Sequence, residues 1–213
     1  MKRIVIVALI FTSLSGFSQN DAKAVTLLNE VSQKMKAYKT ISLDFKYVLN
    51  NVSEDIKQET RGDVVIEGEK YKLNILGITR IFDGKTLYTI SPEDEEVTIS
   101  SNNSEDESTI TPSKMLSFYE DGYTYKMDIV QKVKGRKIQY VKLNPIDTDS
   151  EIKYVLLGID ATTKHIYNLI EVGKNGTKTT LTVNSFKTNE PISKTLFTFE
   201  ESKYSDYFIN KID

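Results

Sequence analysis

The apolar positions of this 213-residue chain change period once, early on. Across residues 22–39, Val25, Leu28, Val31, Met35 and Tyr38 recur at three- and four-residue steps, with lysines and Glu30 on the other side. That spacing predicts an amphipathic helix with one apolar stripe facing the body. Asp21 stands where an N-cap belongs. At Ile41 the step shortens to two. Ile41, Leu43, Phe45, Tyr47 and Leu49 then share one face of a strand.

The strand pattern continues through most of the remaining chain. Residues 50–54 read as a turn, and 61–67 and 71–76 as strands. Residues 78–99 read as two apolar strands joined at Asp83-Gly84, a strong hairpin signal, with a more polar third strand after Ser91-Pro92. A polar break, 100–111, precedes Pro112-Ser113, where Met115, Leu116 and Tyr119 suit one or two helical turns. Further strands are expected at 123–133, 137–143, 153–159, 165–172 and 177–186, with turns at Lys134-Gly135 and 173–176. The last is expected at 195–199, before a polar tail holding Tyr204, Tyr207 and Phe208. Ten or eleven strands joined by tight turns make a mainly β (α+β) protein with one antiparallel sheet. A sheet that wide must curl or close, and its concave face needs an apolar cover.

Composition narrows the function classes. Met1-Lys2-Arg3, an apolar run over 4–14 and Gly16-Phe17-Ser18 form a secretory signal peptide, with cleavage expected after Ser18. Residues 19–213 then make one domain, exported to the periplasm, and no other segment is apolar enough to span a bilayer. The chain has no cysteine and one histidine, so disulfides, thiolate metal sites, cofactors and Cys/His nucleophiles are not expected. The formal net charge of −2, with both signs interspersed, argues against a nucleic-acid partner.

The order of motifs resembles the periplasmic outer-membrane lipoprotein carrier family, the LolA family. The helix with Leu27-Leu28 and Val31 leads into the alternating strand centred on Phe45, then Gly62-Asp63-Val64-Val65-Ile66 and Tyr71-Lys72-Leu73. Asp83-Gly84-Lys85-Thr86-Leu87-Tyr88 is the best match, close to the family's Asp-Gly-Lys-Thr-Leu-Trp. Pro112-Ser113, residues 157–166 and Phe197-Thr198-Phe199 complete the order. The resemblance implies an unclosed half-barrel whose concave face is covered by the N-terminal helix and the short central helix. It implies a monomeric carrier, not an enzyme. Such a carrier takes acylated lipoprotein from an inner-membrane ABC-type lipoprotein-releasing complex and yields it to an outer-membrane acceptor that the sequence does not identify. Alternatives are a regulatory sensor of mislocalised lipoproteins or a carrier of another apolar lipid. Family members from gamma-proteobacteria carry an Arg-Pro after the Gly-Asp strand. Here Glu67-Gly68-Glu69-Lys70 stands in its place, without a bidentate cation.

The candidate site is therefore apolar. Expected cavity residues are Met35 and Tyr38 from the first helix and Leu43, Phe45 and Tyr47 from the first strand. Tyr71, Leu73, Ile75 and Tyr88 follow, then Met115, Leu116 and Tyr119 from the central helix, and Tyr125 and Met127 beyond it. His165 reads as a structural or surface residue, and the acidic runs 93–96 and 105–107 as solvated loops, with a docking surface for a basic partner or a calcium site as the alternatives. Each buried methylene contributes about 0.8 kcal/mol. Three chains of roughly 16 carbons each would then exceed the practical ceiling of about 20 kcal/mol for non-covalent affinity. A carrier must release its cargo, so the two helices are expected to occupy part of the concave face already.

Overall fold

The structure, a computed structural model, describes residues 21–101 and 111–212. The signal-peptide expectation and the acidic run 105–107 lie outside those residues. Helix α1 (Ala22–Lys36) starts at Asp21, whose carboxylate accepts the Lys23 N–H at 2.9 Å. It closes three residues before the expected end, because the Ala37 N–H returns to the Gln33 and Lys34 carbonyls. Ala24, Leu27, Leu28, Val31 and Met35 form its buried stripe.

Twelve strands follow among the described residues. They are β1 (Ile41–Asn51), β2 (Ile56–Glu67), β3 (Lys70–Ile75), β4 (Ile78–Phe82), β5 (Thr86–Ser91) and β6 (Glu96–Ser101), then β7 (Tyr123–Val133), β8 (Arg136–Pro145), β9 (Ile152–Asp160), β10 (Ile166–Gly173), β11 (Lys178–Thr188) and β12 (Phe208–Ile212). Between β6 and β7 lie α2 (Pro112–Met115) and a 3-10 turn, Phe118–Glu120. One sheet holds all the strands in the order β12-β6-β5-β4-β3-β2-β1-β11-β10-β9-β8-β7, so β7 and β12 are open edges and the curl never closes. The turns are local: Asp83 accepts the Lys85 and Thr86 N–H groups at 2.8 Å each, and Gly84 supplies φ +99°.

Two expectations about the C-terminal region are corrected. Residues 195–199 are not a strand. Ser193 accepts the Leu196 N–H through its carbonyl, and the Thr195 carbonyl accepts the Thr198 N–H, so this run turns. The polar tail supplies β12 instead, parallel to β6, the one exception to the antiparallel ladder among the described residues.

The sheet's two faces carry separate cores. On the helix side, a single cluster joins α1 to residues from both halves of the sheet, among them Phe45, Val64, Tyr71, Phe82, Leu143 and Leu157. That enclosure marks the concave face. On the convex face, Ile81, Ile90 and Val97 are covered by Phe197 and by the segment running through Phe199, Tyr204 and Tyr207. Tyr88 stacks on Phe199 at 4.6 Å, and Phe199 on Tyr204 at 5.3 Å. Gly62 is needed where β1, β2 and β3 lie abreast. A Cβ there would stand 2.5 Å from the Phe45 ring and 2.6 Å from the Asn74 carbonyl.

Candidate functional site

Strands with one face turned inward and a short helix set across them leave an apolar cavity of about 230 Å³. Leu43, Phe45 and Tyr47 of β1 form one wall, with Leu73 and Ile75 of β3 beside them. Leu169, Leu181, Val183 and Phe186 continue it through β10 and β11, and Pro112, Met115, Leu116 and Phe118 cross over the top. Among the described residues no charged side chain lines it.

The cover is held by polar contacts on its outer side. Thr111 caps α2 by accepting the Lys114 N–H, and Pro112 occupies the first turn, where its missing N–H costs nothing. The Glu120 carboxylate accepts Ser32 Oγ at 2.6 Å and Lys36 Nζ at 3.0 Å, tying the 3-10 turn to α1. The Ser32 hydrogen bond first, and then Lys36, hold that carboxyl below its usual range against the opposing effect of burial. Tyr125 donates to the Tyr119 carbonyl at 2.7 Å.

The expected cavity residues divide into three groups. Leu43, Phe45, Tyr47, Leu73, Ile75, Met115 and Leu116 line the cavity together. Met35, Tyr38, Tyr71, Tyr119, Tyr125 and Met127 belong to the same concave-side core but not to the cavity wall. Helix α1 covers the concave face beside the cavity without lining it, and among the described residues the segment that crosses the cavity is 112–118. Tyr88 is corrected outright. It points to the convex face, while its neighbour Leu87 points inward.

Sequence reasoning missed the β9–β11 half of the wall: Leu157, Ile166, Leu169, Leu181, Val183 and Phe186. Part of the reason is phase. A register shift between Ile166 and Asn168 puts Leu169, not Asn168, on the inward face. A second shift, opposite Asp44/Phe45, makes the inward step from Val183 to Phe186 three residues instead of two. Simple alternation fails at both places. The pair Leu181 and Val183 was the readable signal.

His165 sits between the end of α1 and the cavity wall. It stacks on Phe186 at 4.0 Å and meets the Tyr38 hydroxyl. Among the described residues no three acidic, histidine or cysteine side chains gather to hold a metal, and no helix is long and apolar enough to cross a membrane.

An unclosed sheet curled round an apolar cavity, with a short helical segment across it, defines a class of half-barrels built round an apolar site. The chain belongs to the family of the outer membrane lipoprotein carrier protein LolA, which matches residues 36–200. Solved structures repeat the fold at low identity. A conserved protein of Thermus thermophilus is 10% identical with a TM-score of 0.60, covering 89% of this chain and 99% of its own. LprF of Mycobacterium bovis is 14% identical with a TM-score of 0.52, covering 82% and 97%. MucB is 14% identical with a TM-score of 0.53, and the alignment covers 84% of this chain but 64% of MucB. No curated protein matches the chain in sequence.

Proposed function

We propose that this protein is a periplasmic carrier that holds the acyl chains of lipoproteins on its concave face and ferries them from the inner to the outer membrane. The observation that carries this reading is the apolar cavity between β1, β3, β10, β11 and the 112–118 segment, in a chain of the lipoprotein-carrier family. The signal-peptide pattern over residues 1–18 supports export, and an inner-membrane ABC-type complex is the donor this role requires.

The cavity's size supports a closed resting state. At about 230 Å³ it is smaller than the roughly 300–1,000 Å³ of ordinary ligand sites. Cargo therefore enters by displacing Met115, Leu116 and Phe118, and the contacts it makes replace contacts the cover already made. Net affinity stays below the gross burial energy, and release remains feasible. The test is mass spectrometry of lipid co-purifying with the protein from the periplasm. Triacylated lipoprotein is the expected finding. Another apolar lipid in its place would move the cargo assignment, and a ligand-free protein with hydrolase activity would overturn it.

A further inference from the structure

Strand β2 is longer than its neighbour on one side. It pairs with β1 from Ile56 to Ile66, but with β3 only from Gly62 to Glu67. Residues 56–61 therefore form an overhang whose outer edge has no strand partner among the described residues. The two-residue turn at Gly68-Glu69 makes Glu67 and Lys70 a hydrogen-bonded pair. Alternation from that pair sends the main-chain N–H and C=O of Lys57, Glu59 and Arg61 toward the open edge. Apart from Ile56 at its start the overhang is polar, all of it but the half-buried Thr60 is exposed, and Arg61 makes no ion pair among the described residues.

The edge begins where the cavity wall ends. Ile75, the last residue of β3, pairs with Gly62 and lines the cavity with Phe45. The same Phe45 and Ile75 also border an open polar groove that contains Lys46, Arg61 and Asp63. Within the overhang Thr60 pairs with Tyr47, which lines the cavity, so the unpaired main chain runs along the cavity rim, while the polar groove lies on the other face of the sheet. A ligand with an apolar end joined to an extended polar chain fits that rim, because each part meets its own chemistry. A purely apolar lipid leaves the edge unused.

We infer that the open edge of β2 over residues 57–61 receives the N-terminal polypeptide of the lipoprotein cargo as an added strand, while its acyl chains lie in the cavity. This rests on the carrier reading above. Main-chain pairing is independent of sequence, which suits a carrier that accepts many polypeptides. The charged side chains along the edge also discourage apolar strands from adding there.

The experiment compares two probes on the mature protein: palmitate, and a tripalmitoyl-cysteinyl hexapeptide of serine and alanine. The lipopeptide is expected to slow amide exchange at Lys57, Glu59 and Arg61, and palmitate is not. Glu59→Pro removes an outward N–H without touching the β1 ladder. It is expected to weaken lipopeptide binding about five- to tenfold and to leave palmitate binding unchanged. Glu59→Gln, which loses only the Lys46 ion pair, is expected to bind both probes as the parent does. Equal protection by both probes, or by neither, overturns the proposal, and the exchange measurement stands even if the proline variant misfolds. If the parent takes up no palmitate, the cavity reading itself fails and the edge proposal goes with it. Palmitate uptake without edge protection removes the edge proposal alone.

Discussion

The Tyr38 hydroxyl and the Nε2 of His165 lie 2.8 Å apart, joining the end of α1 to the β9–β10 turn. The histidine ring also lies on Phe186 at 4.0 Å with 14° between the planes. One side chain thus links the helix to the cavity wall.

That link is sensitive to pH. Burial, and then the Lys34 charge, hold the His165 imidazolium below its usual range, with Asp160 pulling the other way. The unfolded chain therefore takes up the proton first, near the ordinary value of about 6.5. Stability contributed by the neutral ring is present above that value and is lost as pH falls toward the folded pKa. Thermal unfolding should show a larger drop in midpoint between pH 7 and pH 5 for the parent than for His165→Gln. Equal drops would show that another group sets the acid sensitivity.

Tyr119 is 1% exposed, and its hydroxyl has no hydrogen-bond partner among the described residues. Burial pushes its ionisation far above the ordinary tyrosine value, so the group is a neutral orphan donor. Such a group costs about 1–3 kcal/mol. Tyr119→Phe should therefore raise the urea midpoint by the equivalent of about 1 kcal/mol or more. A decrease would mean the hydroxyl has a partner in solution.

Leu169 lines the cavity without contributing charge or hydrogen bonding. Leu169→Trp should fill the space and reduce palmitate uptake about tenfold, at an overpacking cost of about 1–3 kcal/mol in stability. Fluorescence titration with the fatty acid, beside a urea melt, separates the two effects. Unchanged uptake would place the acyl site elsewhere.

Phe197 is the buried anchor of the convex-face segment, 7% exposed among Ile81, Ile90 and Val97. Truncation of a buried phenylalanine to alanine costs about 3–5 kcal/mol. Phe197→Ala should lower the denaturation midpoint accordingly and speed amide exchange in β12 and β6 before β1 or β11. Uniform acceleration through the sheet would show that the segment is not a separately yielding unit.

Much of this was legible in order and little of it in depth. The period switch at Ile41, the Asp21 cap, the Asp83-Gly84 turn and the Pro112 start are local events, set by neighbouring residues and by backbone geometry that needs no distant partner. They were enough to place α1 and eleven strands and to suggest the family.

What local pattern could not carry was phase and partnership. Tyr88 and Leu87 are adjacent and both apolar enough for a core, and only the presence of Phe199 on the convex side decides which face each serves. The bulges at Asp44/Phe45 and Ile166/Asn168 shift the inward phase of β10 and β11 in a way no alternation count contains. Residues 195–199 carry apolar side chains like a strand, yet they turn, and their apolar partners lie across the sheet's back. The sequence by itself determined a chain of strands with an amphipathic helix before them. Only the curled sheet, by bringing residues more than a hundred positions apart onto one surface, decided which apolar side chains became core, which became strap and which were left lining a cavity.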